Sequence, residues 1–217
     1  MKKEFNLKNI STLLFDGMSI SVGGFMANGT SEIIIDEIVK SGVKDLTIVC
    51  NDGGYSDLGV GKLISNGQVK KLITSHVGLN PVVGQLMVED KIEVELVPQG
   101  TLAERIRCGG NGLLGFYTPV GVGTEVEVGK ELKDENEVRY IFEKALKTDL
   151  SVLRGNVIDK KGNMTYAKTG RNFNPLMAMN SEIVIASAKR VVEVGEIDPD
   201  CVVTPHIFID YIIEEAL

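Results

Sequence analysis

Seven consecutive residues near the start of the chain have types and spacing that suit the binding of an anion. The run, called the glycine loop below, reads Gly23, Gly24, Phe25, Met26, Ala27, Asn28 and Gly29. It follows a segment in which Met18, Ile20 and Val22 alternate with small polar residues, and it precedes an apolar helical pattern. Glycines at such a strand-to-helix junction leave backbone N–H groups facing outward. These donors suit a phosphate, a carboxylate or the oxyanion of a reacting acyl carbon.

Two further segments place polar residues directly after predicted strands. The apolar run Leu46–Cys50 is followed by Asn51-Asp52-Gly53, and the run Ile92–Val97 is followed by Pro98-Gln99-Gly100. Ligands bind outside the carboxyl ends of the strands in a parallel sheet, so we expect both segments to meet the glycine loop at one edge. This convergence predicts a shared site.

Predicted strands and helices alternate along the chain. The strands cover 18–22, 46–50, 69–74, 92–97, 150–153 and 183–186, and helical patterns cover 33–39, 81–88, 102–106 and the surroundings of Ile64. Thr30 and Ser31 are candidates to cap the first helix. The pattern predicts an α/β fold, with an open, mainly parallel sheet flanked by helices on both faces, in one domain over residues 1–217. Residues 108–140 are expected to form a long irregular excursion from that domain.

Composition and charge argue against several classes of partner. The 217 residues are 43% hydrophobic and 24% charged, with a formal net charge of −7. An acidic chain of this kind is not expected to bind nucleic acid or an anionic membrane surface. No segment approaches the roughly 18 apolar residues of a membrane span, and polar residues follow Met1-Lys2-Lys3 where a secretory signal needs apolar ones. Three scattered cysteines favour a reducing cytoplasm, and with only two histidines no metal site is expected.

Several known motifs are incomplete in this chain. The glycine loop lacks the G-x-G-x-x-G spacing of dinucleotide-binding proteins. In Gly59-Val60-Gly61-Lys62 the lysine is followed by Leu63, where a phosphate-binding loop needs a hydroxyl. No G-x-S-x-G elbow is present, and His76 is interpreted as a hydrogen-bonded residue at a strand end rather than as a catalytic base.

Each candidate residue also has a simple structural interpretation. Gly23 and Gly24 suit a tight turn, Phe25 suits the core, Gln99 suits a turn cap, Arg105 and Arg107 with Glu104 suit a solvated helix face, and Asn172–Pro175 suits a turn before a helix. The convergence of three strand ends is what favours a shared site over these separate interpretations.

Three long motifs resemble those of the α subunit of family I CoA-transferases. They are Asp16–Phe25 with Gly29, Pro98–Gly110 and Arg171–Pro175, and the segments Ser75–Gly78, Asn80-Pro81 and Thr118–Thr124 also fit. The resemblance covers nearly the whole chain and points to the bacterial acetate/acetoacetate and butyrate–acetoacetate enzymes. One departure is Ser31, where the family usually has a proline. A serine can instead supply an N-cap oxygen, so we expect little effect on the fold.

The resemblance implies ping-pong transfer of CoA through a glutamate on a β subunit. The glutamate attacks the acyl-CoA thioester, forms a mixed anhydride and becomes a glutamyl-CoA thioester, which a second carboxylate displaces. This chain lacks the Ser-Glu-Asn-Gly-like segment that carries the glutamate, so the resemblance implies that its partner is a β subunit, in an α2β2 assembly. CoA and acyl-CoA would be substrates, with no permanently bound cofactor.

The same resemblance assigns roles to residues of this chain. Gln99 would stabilise the oxyanion of the tetrahedral intermediates through its side-chain NH2, and Asn51 would adjoin it. The glycine loop would approach CoA and the acyl group.

Other functions stay open at the level of the sequence. Another carboxylate pair, such as 3-oxoadipate or glutaconate with succinyl or acetyl donors, would want an extra cation near the acyl pocket, and the sequence shows no clear one. A non-catalytic CoA-binding module is a third hypothesis. A sugar-phosphate isomerase of similar topology would need an acid or base beside a phosphate loop, which we do not find. A second chain with the glutamate motif would distinguish a transferase from the non-catalytic module.

Overall fold

Strands and helices alternate in the computed structural model, which describes residues 4–215. The strands are β1 Ser19–Val22, β2 Leu46–Cys50, β3 Val69–Thr74, β4 Glu93–Leu96, β5 Gly115–Thr118, β6 Leu132–Glu135, β7 Val138–Lys144, β8 Thr148–Asp159, β9 Met164–Thr165, β10 Ser181–Val192 and β11 Tyr211–Glu214. The α-helices are α1 Glu32–Ser41, α2 Val60–Ser65, α3 Pro81–Val88, α4 Gln99–Gly110 and α5 Asn174–Met177. Within the described range, no helix has the length and apolar character needed to cross a membrane.

One large sheet carries most of the strands. Its order is β11-β10-β8-β1-β2-β3-β4, every pair in this path is parallel, and β9 pairs antiparallel with β8. The register sets Val22 beside Cys50 and Thr74 beside Leu96, so β1 to β4 end at the same edge. The predicted open, mainly parallel sheet is confirmed, and the three polar strand ends converge as expected.

Both faces of this sheet are covered by helices because neighbouring strand residues point to opposite sides. Ile48 of β2 belongs to the apolar cluster that contains Ile35 of α1 and Leu63 of α2. Val49, the next residue, belongs to the cluster that contains Leu102 of α4. Helices α1 to α3 therefore cover one face, while α4 and α5 cover the other. The site at the sheet edge is held by buried apolar layers on both sides.

Helix α1 begins directly after the glycine loop, but not with the predicted side-chain cap. Ser31 occupies the N-cap position and its hydroxyl makes no capping hydrogen bond. Instead, the hydroxyl oxygens of Ser31 and Ser187 lie 2.7 Å apart. The Thr30 hydroxyl donates to the carbonyl oxygen of Gly23 at 2.9 Å and so closes the loop on itself. The capping prediction for these two side chains is wrong because the Thr30 hydroxyl bonds within the loop and the Ser31 hydroxyl bonds to the distant Ser187.

The glycine-rich region 108–140 is more regular than its sequence indicates. It contributes to a second sheet of order β5-β7-β6, in which both pairs are antiparallel. Asn136 and Glu137, with φ of 50° and 66°, form the two-residue turn between β6 and β7. The prediction of an irregular excursion is therefore wrong for these strands. The assignment of residues 1–217 to one domain stays a prediction, and residues 1–3 and 216–217 lie outside the described range.

Candidate active site

The glycine loop is a tight backbone hairpin at the carboxyl end of β1. Phe25 and Asn28 exchange backbone hydrogen bonds of 3.0 and 2.9 Å. Between them Met26 and Ala27 adopt φ of 48° and 64°, the left-handed conformation that a two-residue turn of this kind requires. A left-handed conformation is uncommon for residues with a side chain, and here neighbouring elements hold it in place.

Most N–H groups of the glycine loop are engaged within the protein. The N–H of Gly24 donates to Oδ1 of Asn172 at 3.1 Å, and the N–H of Met26 donates to Oδ2 of Asp52 at 2.9 Å. Within the described part of the chain, Ala27 and Gly29 are the loop residues whose N–H has no acceptor. The predicted set of anion donors is thereby reduced to these two groups.

Two asparagines, one just before α5 and one at its first position, explain why the loop needs glycine. A Cβ at Gly23 would lie 2.0 Å from Oδ1 of Asn174, and a Cβ at Gly29 would lie 2.6 Å from the carbonyl oxygen of Gly170. The Asn174 side chain donates to the carbonyl oxygens of Gly29 and Gly170 at 3.0 and 2.9 Å. The Asn172 side chain donates to the carbonyl oxygen of Asn28 at 2.8 Å. A turn before a helix is present at Asn172 and Phe173, but the helix already begins at Asn174, inside the predicted turn, and the two asparagine side chains also brace the glycine loop.

Asn51 and Gln99 form a hydrogen-bonded amide pair where β2 ends and α4 begins. Nε2 of Gln99 donates to Oδ1 of Asn51 at 2.6 Å, while Nδ2 of Asn51 donates to Oδ2 of Asp52 at 2.9 Å. Asn51 is buried, and Gln99 is exposed. The Ser75 hydroxyl donates to the carbonyl oxygen of Asn51 at 2.6 Å, which ties the end of β3 to the pair. The predicted adjacency of these two amides is present in the fold.

A cleft of about 370 Å³ lies against this amide pair. Its lining residues are Phe25, Met26, Asn51, Asp52, Ser75, His76, Leu79 and Gln99. Four of the predicted site residues therefore share one cleft, whereas the other five members of the glycine loop lie outside its lining. Asp52 belongs to a predicted strand-end segment but had no assigned role, and Ser75, His76 and Leu79 were absent from the predicted site. Their position after β2 and β3 was the signal that could have identified them.

His76 differs from its sequence interpretation. It does lie at a strand end, and its backbone carbonyl oxygen accepts from the N–H of Gly53 at 2.9 Å. The imidazole makes no hydrogen bond within residues 4–215 and packs against Gly78, where an added Cβ would lie 3.0 Å from the ring Cε1. The ring is thus a wall of the cleft rather than part of a hydrogen-bond network.

The electrostatics of the cleft restrict the chemistry that this chain can perform alone. Asp52 is the one carboxylate among its lining residues in the described chain, and lysine and arginine are missing from the lining. Next to the cleft, burial and the charge of Asp52 raise the pKa of the Cys50 thiol, so the sulfur stays protonated and is no thiolate nucleophile. No group of His, Cys, Asp and Glu that could hold a metal ion occurs among residues 4–215.

Arg105 anchors the helix that presents Gln99. Its side chain is only 10% exposed and donates to Oε1 of Glu95 at 2.7 Å and to the carbonyl oxygen of Lys144 at 2.9 Å. Burial raises the pKa of Glu95, but the hydrogen bond and charge of Arg105 outweigh it and hold that pKa below its ordinary value. The interpretation of Arg105 as part of a solvated face is wrong. Arg107 and Glu104 do form a surface pair.

Comparison with known sequences identifies the family. A sequence profile described as Coenzyme A transferase matches residues 7–215. The alpha subunit of the acetate CoA-transferase of Escherichia coli (strain K12) is 46% identical over 211 residues, which is 97% of this chain and 96% of that protein. The acetoacetyl-CoA:acetate/butyrate CoA transferase alpha subunit of Clostridium acetobutylicum is 43% identical over 213 residues, 98% of each chain.

Solved structures agree on the fold. An acyl-CoA transferase from E. coli O157:H7, in a thioester complex with CoA, has a TM-score of 0.88 and 19% identity, covering 99% of this chain. This chain spans about half, 47%, of that protein's length. Glutaconate coenzyme A-transferase from Acidaminococcus fermentans has a TM-score of 0.84 and 18% identity, covering 97% of this chain and 74% of that one. With the profile match over nearly its whole length and two full-length relatives of high identity, the chain belongs to the coenzyme A transferase family.

Proposed function

We propose that this chain is the α subunit of a heteromeric, cytoplasmic CoA-transferase that moves CoA between short-chain acyl-CoA and carboxylates of the acetate, butyrate and acetoacetate type. Two relatives that match it over nearly their full length carry such substrates in their names. The observation that carries the proposal is the amide pair, because Gln99 has one side-chain N–H beyond the one given to Asn51. That spare donor suits an acyl oxyanion.

Each step of the proposed reaction passes through an oxyanion. A glutamate carboxylate of the β subunit first attacks the thioester carbon, and CoA leaves as a thiolate to give a mixed anhydride. The thiolate then attacks the glutamyl carbonyl carbon and releases the first carboxylate, leaving a glutamyl-CoA thioester. A second carboxylate reverses these steps and leaves as the new acyl-CoA. Every addition places negative charge on a former carbonyl oxygen, where the Gln99 N–H would donate.

The walls of the cleft support a short monocarboxylic acyl group. Phe25, Met26 and Leu79 supply apolar surface, and the lining described above contains no lysine or arginine to pair with a second carboxylate. The glycine loop approaches the acyl end of CoA in this proposal. Its two N–H groups without an acceptor among residues 4–215, those of Ala27 and Gly29, lie outside the lining of the cleft. CoA is a substrate here and not a resident cofactor.

A second candidate substrate is succinyl-CoA. A succinyl-CoA:3-ketoacid coenzyme A transferase chain of Helicobacter pylori (strain J99 / ATCC 700824) is 45% identical over 199 residues. A succinyl donor carries an extra carboxylate, which within this cleft would face Asp52 rather than a cation. The charge of the lining therefore favours the monocarboxylic substrates.

The test is reconstitution of the enzyme from both chains. The gene adjacent to this one should encode a chain with the glutamate segment, and the two chains should co-purify, as an α2β2 complex in this proposal. Initial rates with acetyl-, butyryl-, acetoacetyl- and succinyl-CoA against a set of carboxylates then give the substrate, with parallel double-reciprocal lines expected for ping-pong exchange. Faster turnover of succinyl-CoA than of the other three donors would reject the substrate assignment. Co-purification without any exchange would favour a non-catalytic CoA-binding module.

A further inference from the structure

We propose that Asp52 is a positioning residue that orients the Gln99 amide through Asn51 and at the same time fixes the glycine loop against that amide pair. The inference rests on the proposed function, since it assumes that Gln99 donates to an acyl oxyanion. It adds a residue that the strand-end pattern placed near the site without giving it a role.

Both carboxylate oxygens of Asp52 accept hydrogen bonds, three in total. Asp52 is 6% exposed. Its Oδ2 accepts from the N–H of Met26 at 2.9 Å and from Nδ2 of Asn51 at 2.9 Å, and its Oδ1 accepts from the N–H of Gly54 at 3.0 Å. A single carboxylate oxygen thus joins the loop that follows β1 to the amide pair at the ends of β2 and β4.

This arrangement fixes which way each amide faces. A carboxylate oxygen only accepts, so Asn51 must turn its NH2 toward Asp52 and its Oδ1 toward Gln99. That oxygen in turn requires the NH2 of Gln99, at the observed 2.6 Å. With Asp52 removed, Asn51 is free to rotate its amide and offer NH2 instead. The Gln99 amide would then rotate as well and turn its carbonyl oxygen toward Asn51. The position beside Asn51 that the Gln99 NH2 now occupies would hold a hydrogen-bond acceptor instead of a donor.

The same carboxylate is poorly suited to act as the nucleophile. Donors surround both oxygens, and an attack on a thioester would break the bonds that hold the glycine loop and the amide pair. Its role is therefore to position other groups.

The test compares Asp52→Ala, Asp52→Asn and Gln99→Ala in the co-purified two-chain enzyme. Asp52→Ala should lower kcat by about 10- to 100-fold, the scale on which misplacement of a reacting group acts. Asp52→Asn should recover most of that loss, since its amide oxygen still accepts from Met26 and Asn51 and only the bond from Gly54 is lost. In the Gln99→Ala background, Asp52→Ala should lower kcat by a clearly smaller factor than in the wild type, because the part of its effect that passes through Gln99 is already lost and only the part that passes through the glycine loop remains.

Asp159 provides a matched control for the loss of a buried carboxylate. It is 2% exposed and accepts from the backbone N–H groups of Lys161, Gly162 and Asn163 and from Nδ2 of Asn163. Asp159 is not among the residues lining the cleft. Asp159→Ala should lower the melting temperature as Asp52→Ala does, and should leave kcat within about twofold of the wild-type value.

Clear results would overturn the inference. If the fold losses in kcat of Asp52→Ala and Gln99→Ala multiply in the double variant, Asp52 does not act through Gln99. The same conclusion follows if the kcat of Asp52→Asn is as low as that of Asp52→Ala. Should Asp52→Ala fail to assemble, Asn51→Ala replaces it in the cycle, because it breaks the middle of the chain and leaves the Met26 and Gly54 bonds intact. A wild-type complex without CoA exchange would reject the proposed function itself, which is a different result from failure of the cycle.

Discussion

Replacing Gln99 by alanine in the assembled enzyme should lower turnover by about 100- to 1,000-fold, as expected for removal of one oxyanion donor. The side-chain NH2 of Gln99 has two hydrogens, and one of them goes to Oδ1 of Asn51 at 2.6 Å. The other has no acceptor among residues 4–215. Loss of this preorganised donor corresponds to about 2.7–4 kcal/mol of transition-state stabilisation.

The size of this effect separates a catalytic role from a structural one. The free energy of unfolding should fall by only about 1 kcal/mol, since one neutral hydrogen bond to Asn51 is lost. Gln99 is exposed in this chain alone, so its N–H has its full effect only when a second chain excludes water from the cleft. The large loss is therefore expected in the complex.

Steady-state rates of the complex give kcat and KM for each acyl-CoA. Gln85→Ala is the matched control, because Gln85 is an exposed glutamine on α3 whose Nε2 donates to Glu89 at 2.8 Å, outside the cleft. Its turnover should equal that of the wild type, and both variants should co-purify with the second chain. A Gln99→Ala enzyme with turnover within about threefold of the wild-type value would refute the oxyanion assignment.

Four further substitutions have predicted effects on stability, each measured from urea unfolding. Gly24→Ala should cost about 3 kcal/mol, since φ is +140° and the new Cβ would lie 2.0 Å from Oγ1 of Thr30. Gly84→Ala on α3 should instead raise the free energy of unfolding by about 0.5–1 kcal/mol, because its new Cβ would have no other atom within 4 Å. Arg105→Met should cost about 2 kcal/mol, because it removes a charged hydrogen bond to a glutamate of β4 that is itself 33% exposed. Burial raises the pKa of Asp159, but hydrogen bonds from the following turn outweigh it and lower that pKa. The wild type should therefore have a higher free energy of unfolding than Asp159→Asn. This difference should be complete above about pH 5 and should disappear as the pH falls from about 3.9, the ordinary pKa of an aspartate, through the folded-state pKa of Asp159. An advantage that is unchanged at low pH would contradict this reasoning.

The main sheet was predictable because its strands are short apolar runs bounded by polar turns. The predicted bounds of β2, β3 and α3 are those observed. The second sheet was missed because all four residues of β6 are exposed and its residues Lys133, Asp134 and Glu135 are charged, so no apolar alternation marks it. Its pairing comes from the turn at Asn136 and Glu137, whose left-handed conformations the residue types indicate only weakly.

The site was predictable in position but not in its internal contacts. Strand order placed Asn51 and Gln99 at one edge, and the structure has their amides in contact. The glycine content of the loop could not predict which of its N–H groups are already hydrogen-bonded. Two of them donate to Asn172 and Asp52, which lie 148 and 26 residues away in the sequence. Burial of Arg105 was likewise not predictable, because its partners, Glu95 and the carbonyl oxygen of Lys144, lie on other strands that only the folded chain brings to this helix.

Among the residues that the structure describes, the cleft contains the proposed oxyanion donor, Gln99, but no group that is free to attack a thioester. Asp52 is held by three donors, the Cys50 thiol stays protonated, and the Ser75 hydroxyl is engaged with the carbonyl oxygen of Asn51. Phe25 is 41% exposed and Gln99 also faces solvent, so this half of the site lacks a cover as well as a nucleophile. In our proposal one second chain supplies both. Turnover should then follow the concentration of the complex and not that of this chain, because attack and oxyanion stabilisation come from different subunits and neither lowers the barrier enough alone.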